Sequence, residues 1–113
     1  MKRILPLLSL AFLAINAVAT EKKREVLIDN EKVELVRLTY PPGTESGMHT
    51  HVHPHRTVYF VQGGTLKLVP KGQPHKARTI TAKTGDALYL PSMSHNVINV
   101  GDTTVILLEN EIK

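Results

Sequence analysis

The chain of 113 residues has no cysteine, 14 Lys and Arg against 10 Asp and Glu, and only 4% aromatic residues. That length holds one globular domain at most, and the lack of cysteine excludes disulfide frameworks, thiolate metal sites and cysteine nucleophiles. Histidine is the exception to an otherwise ordinary composition: six are present, four of them at positions 49, 51, 53 and 55.

The chain opens on a basic Met1-Lys2-Arg3, continues through a nearly uncharged apolar run from Ile4 to Val18, and reaches the small-x-small sequence Ala17-Val18-Ala19. These three parts predict a secretory signal peptide over residues 1–19, leaving residues 20–113 as the mature domain. The apolar run is shorter than the ~20 residues that span a bilayer, so no stable membrane association is expected after cleavage. The mature domain is expected in a periplasm or outside the cell. Without Lys2 and Arg3 its charge is close to balanced, and no clustered basic stripe points to nucleic acid.

Turn signals then divide the domain: Asp29-Asn30, Pro41-Pro42-Gly43, Gly63-Gly64, Pro70 to Pro74, Thr84-Gly85-Asp86 and Gly101-Asp102. Between them lie short runs rich in Val, Ile, Leu, Thr and Tyr, at 25–28, 32–40, 57–62, 65–69, 77–82, 87–90, 96–100 and 103–109. Seven or eight strands at this spacing predict an all-β sandwich or barrel. Gly63, Gly64, Gly85 and Gly101 are expected at turns with positive φ. Asn99 is expected to hold a turn through its side chain, and His75 to lie exposed.

Successive side chains on a strand alternate, so His49, His51, His53 and His55 would share a face with Thr57, Tyr59 and Val61. Tyr59 and Val61 are expected to face the interior, and Arg56 to face solvent. Neutral imidazoles two residues apart can converge on one transition-metal ion, with His95 as the remote partner. A surface loop rich in histidine that collects metal adventitiously is the competing reading of the same residues.

The stretch from Gly47 through His49, His51, His53, His55 and Tyr59 to Gly64 resembles the first motif of the cupin family. The stretch Gly85-Asp-Ala-Leu-Tyr-Leu-Pro91, followed by His95 and Asn99, resembles the second, with Met93 where glycine is usual. The resemblance implies a single-domain cupin jelly-roll β-barrel and a metal held by His51, His53 and His95, with His49 and His55 as additional candidates. Two registers of the first motif compete. Pairing His49 with His51 puts Arg56 at the family's glutamate position, whereas pairing His51 with His53 puts Thr57 there. Regular alternation favours the second register, because residue 56 would need a bulge.

Either register lacks the motif glutamate, and no Glu lies between Gly47 and Leu108. The centre is therefore expected to work without a carboxylate base from the central strands. The resemblance implies a divalent transition metal, Fe(II) first, with Mn, Ni, Cu or Zn as alternatives, and a homodimer. Two functions follow: an oxygen-activating, dioxygenase-like enzyme on a small anionic organic substrate, or a non-catalytic module that binds a small molecule or metal.

Overall fold

The computed structural model describes residues 21–113, so the expected leader lies outside the described residues. It contains seven strands: β1 (Lys23–Asp29), β2 (Val33–Tyr40), β3 (His49–Gln62), β4 (Gly64–Pro70), β5 (Arg78–Ala82), β6 (Ala87–Asn99) and β7 (Val105–Ile112). A single 3-10 turn, Pro74–Lys76, carries the exposed His75 between β4 and β5. All pairings are antiparallel, in the order β1-β2-β7-β3-β6-β4-β5.

The sheet rolls up on itself. The segment joining β2 to β3 bonds to the far end of β6, where Gly43 N–H donates to Asn99 O at 3.0 Å and Ser46 N–H to Val97 O at 2.8 Å. That same end of β6 pairs on its other side with β4, Leu66 opposite Asn99 and Leu68 opposite Val97. The all-β jelly roll is therefore the observed fold. It differs from the sequence expectation in two strands. The histidine run belongs to β3 itself, and β6 continues unbroken through Pro91 where two runs are predicted.

Local chemistry fixes the turns. At the β1–β2 hairpin the Asn30 side-chain oxygen accepts from Lys32 N–H at 2.8 Å and Val33 N–H at 3.0 Å, an Asx turn. Gly85 has φ +93°, as expected, but Gly63, Gly64 and Gly101 do not have positive φ. Gly63 and Gly64 are needed for space instead. A side chain at 63 would run into the Ala82 carbonyl, and one at 64 would meet Val105 Cγ2 at 2.7 Å. Asn99 is structural: fully buried, it donates from Nδ2 to Tyr40 O at 2.7 Å and Thr103 O at 2.8 Å, and accepts from Gly101 N–H at 3.0 Å.

The feature that organises the site is an irregularity in the β3–β6 ladder. His51 pairs with Met93 and His55 with Pro91, so β3 advances four residues while β6 advances two. Pro54 and Pro91 flank this break, where a residue without N–H costs no ladder bond. Across it the inward face changes parity. His49 and His51 face inward before the break, and Arg56, Val58 and Phe60 after it. On β6 the odd residues His95, Val97 and Asn99 face inward at one end and the even residues Leu88 and Leu90 at the other.

This reverses several expectations. Tyr59 and Val61 are 48% and 41% exposed, while Val58 and Phe60 enter the core with Tyr40, Leu66, Val97, Val105 and Leu107. Beside this outer face lies the exposed Tyr89, its hydroxyl 2.7 Å from His55 Nδ1. Arg56 is buried rather than solvated.

Candidate metal centre

β3 and β6 bring His49, His51 and His95 together. His49 stands opposite His95 in the ladder, and one nitrogen from each of the three rings lies within 4.8 Å of the others. Ring centroids are 4.5 Å apart for His49 and His51, 4.7 Å for His49 and His95, and 5.1 Å for His51 and His95. His53 is not in this group, because the ladder break follows His51 and the run's regular alternation ends there. His55 lies on the outer surface with Tyr89. The arrangement is that of the first register, with Arg56 at the glutamate position.

Hydrogen bonding sets the tautomers. His49 Nδ1 lies 2.8 Å from Gly47 O, and His51 Nδ1 lies 2.6 Å from Glu111 Oε1. A carbonyl and a carboxylate only accept, so both Nδ1 atoms carry the proton. The Nε2 atoms, 2.7 Å apart, then both present lone pairs in the neutral rings. Two facing lone pairs repel unless a cation or shared proton joins them. His95 is 4% exposed, and neither of its ring nitrogens has a partner among the described residues.

Burial works against a proton on two of the three rings. Burial, reinforced by His49, Arg56 and His51, pushes the His95 pKa down to about 3. Burial also lowers that of His51, against the opposing pull of its bond to Glu111. The cluster thus brings together three imidazole rings, the donor set that Zn, Cu, Ni and Fe accept. The residues present therefore fit a divalent transition metal.

Two acidic residues missed in the sequence complete the surroundings. Val105, Leu107, Glu109 and Glu111 share one face of β7, the strand paired with β3. That alternation was visible in the sequence, since Glu109 and Glu111 continue the parity of Val105 and Leu107. Glu109 Oε1 lies 3.7 Å from His51 Nδ1, and its Oε2 lies 3.5 Å from Arg56 Nη1. Burial pushes the Glu109 pKa up to about 6 despite Arg56. The expectation of a centre without a carboxylate from the central strands is thus corrected, because β7 supplies two.

Outside the cluster a cavity of about 470 Å³ opens to solvent, lined by Lys22, Arg24, Tyr40, His51, Glu109 and Glu111 among others. That size suits a small organic molecule.

A rolled antiparallel sheet with histidines from two strands converging in its mouth defines a class, and sequence comparison places the chain in it. The cupin domain family matches residues 36–109, and the chain belongs to that family. It is 33% identical over 89 residues to the beta-alanine degradation protein BauB of Pseudomonas aeruginosa, covering 78% of this chain and 90% of that one. It is 34% identical over 73 residues to oxalate decarboxylase OxdC of Bacillus subtilis, covering 64% of this chain but 19% of that much longer protein. A crystal structure of a cupin domain from Bordetella pertussis Tohama I superposes with a TM-score of 0.72 at 34% identity, over 81% of this chain and 93% of that one.

Proposed function

We propose that this protein is an exported small cupin that binds one divalent transition metal, Fe(II) first, through His49, His51 and His95, and acts on a small organic anion. The convergence of the His49 and His51 Nε2 lone pairs at 2.7 Å, beside the unpartnered His95, carries the reading. When bound, the metal supplies Lewis acidity and, if redox-active, a centre for oxygen activation.

The chain's own groups do the rest. Gly47 O and Glu111 orient the His49 and His51 rings through their Nδ1 protons. Burial keeps His95 neutral and its lone pair free. Glu109, with a pKa of about 6, is poised to hold or release a proton near neutrality beside the cluster. Behind the histidines the barrel interior is lined mainly by apolar side chains.

Export rests on the three-part leader at residues 1–19. Homodimerisation is supported by the edge strand β1, which leaves Val26, Leu27 and Ile28 exposed. The mass of the native particle and the N-terminus of the exported protein test these two parts.

The metal reading is tested by elemental analysis of untagged protein, with His49→Ala, His95→Ala and His53→Ala variants. Stoichiometric metal that is lost in the first two and kept in the third is expected. Absence of any transition metal, or loss only in His53→Ala, overturns the reading. Oxygen consumption by the Fe(II)-loaded protein with a panel of small carboxylates and thiols separates enzyme from binder, and no uptake across the panel favours the non-catalytic module.

A further inference from the structure

Arg56 is 1% exposed inside the barrel. Its Nη1 faces Glu109 Oε2 at 3.5 Å, while Nε and Nη2 have no partner among the described residues. Those two nitrogens form one edge of the guanidinium plane, with two parallel N–H donors matched to the two oxygens of a carboxylate. Buried donors are almost always satisfied, so a fork left open in the interior calls for an acceptor from outside the chain.

The interior holds a cavity of about 40 Å³, lined by Arg56, His49, His95 and Glu109 on its polar side and elsewhere by Tyr40, Phe60 and aliphatic residues. That space takes about three waters, or a carboxylate with one or two further carbon atoms. It adjoins the larger mouth cavity, with which it shares Leu38, Tyr40, His49 and Glu109. A molecule lying across the two would keep one end at Arg56 and pass beside the histidines.

We propose that the Nε–Nη2 edge of Arg56 is the recognition element for the carboxylate group of a short-chain carboxylic acid, held in the inner cavity with its remaining atoms directed past His49 to the mouth. The ligand's position beside a reactive centre rests on the metal reading, but the fork itself needs no metal. The planar fork matches the two oxygens of one carboxylate, whereas a phosphate presents further oxygens that this edge does not reach. Glu109 beside the fork also disfavours a ligand group that carries two negative charges, as phosphate can, over a singly charged carboxylate.

The test observes the arginine side-chain Nε–H resonances by NMR in the metal-free full-length chain. The Arg56 signal is assigned by its loss in Arg56→Lys or, should that variant not fold, by elimination with Arg3→Lys, Arg24→Lys, Arg37→Lys and Arg78→Lys. Formate and acetate are expected to shift the Arg56 resonance saturably, with acetamide and inorganic phosphate leaving it in place. Arg56→Lys, which keeps the charge but loses the fork, is expected to weaken acetate binding by about tenfold or more.

An Arg56 resonance unmoved by carboxylates in both metal-free and Co(II)-loaded protein overturns the proposal, as does an equal response to phosphate. The outcomes separate it from the metal reading. Carboxylate binding at Arg56 in a protein that takes up no metal removes the metal centre and keeps this site, whereas metal uptake with an unresponsive Arg56 does the reverse.

Discussion

Glu111 reaches across 60 residues of sequence to accept a 2.6 Å hydrogen bond from His51 Nδ1, on the ring edge opposite the nitrogen that faces His49. The bond fixes the ring's orientation and its tautomer together, and a carboxylate at that place raises the basicity of the far nitrogen. Glu111→Gln keeps the shape and an acceptor but removes the charge. Metal affinity, measured by competition with a chelator, is expected to fall by about 10- to 100-fold. Unchanged affinity would mean that Glu111 has no part in holding the ring for a metal.

The parity switch in β3 makes Phe60 a core residue and Tyr59 a surface one. Phe60→Ala is expected to destabilise the fold by about 3–5 kcal/mol, and Tyr59→Ala by less than about 1 kcal/mol. Urea unfolding of the two variants checks this, and comparable losses would contradict the register.

Asn99 joins three backbone groups from two parts of the chain, Tyr40 O at the end of β2 and Thr103 O and Gly101 N–H in the turn between β6 and β7. Asn99→Ala leaves buried carbonyls without a donor, at about 1–3 kcal/mol each. A loss on the order of 2–4 kcal/mol in urea unfolding is expected, with metal content unchanged in whatever fraction remains folded.

The buried titrating groups give the metal-free protein an unusual acid profile. His95 falls from an ordinary 6.5 to about 3 on folding, so its contribution is present above pH 6.5 and is lost as pH falls toward 3. Glu109 rises from 4.5 to about 6, so its contribution is present below pH 4.5 and is lost as pH rises through 6. Each acts at about 1.4 kcal/mol per pH unit within its window. Between pH 4.5 and 6 His95 and Glu109 oppose each other while His51, whose pKa burial also lowers, adds to the His95 side, so stability is expected to fall gently as pH drops through this window and steeply from 4.5 toward 3. In Glu109→Gln the fall should begin near pH 6.5. Urea midpoints across this range check the expectation, and parallel curves for the two proteins would remove Glu109 from the balance.

Strand composition and turn chemistry made the all-β architecture legible, and the motif spacing marked β3 and β6 as the strands that carry the clustered histidines. His51 and His95 were legible for the same reason. His53 was favoured over His49 because strict alternation was carried through Pro54, although a proline there and another at position 91 were the visible signs of a break. Arg56 and Tyr59 were turned the wrong way by the same assumption. Glu109 and Glu111 were missed for a different reason. Their alternation with Val105 and Leu107 was plain, but only the sheet order shows that β7 lies against β3.

The ladder break at Pro54 and Pro91 gives one strand two separate jobs. Residues before it place the clustered histidines, residues after it place Arg56 and the core side chains Val58 and Phe60, and the two sets share no alternation. Substitutions among the histidines and their neighbours can therefore change what the mouth binds without disturbing the side chains that fill the barrel floor. An insertion or deletion of a single residue between His51 and Arg56 is a different matter, since it would turn one set outward while leaving the other in place. Variation in ligand chemistry is open to this scaffold, and variation in the length of this one segment is not.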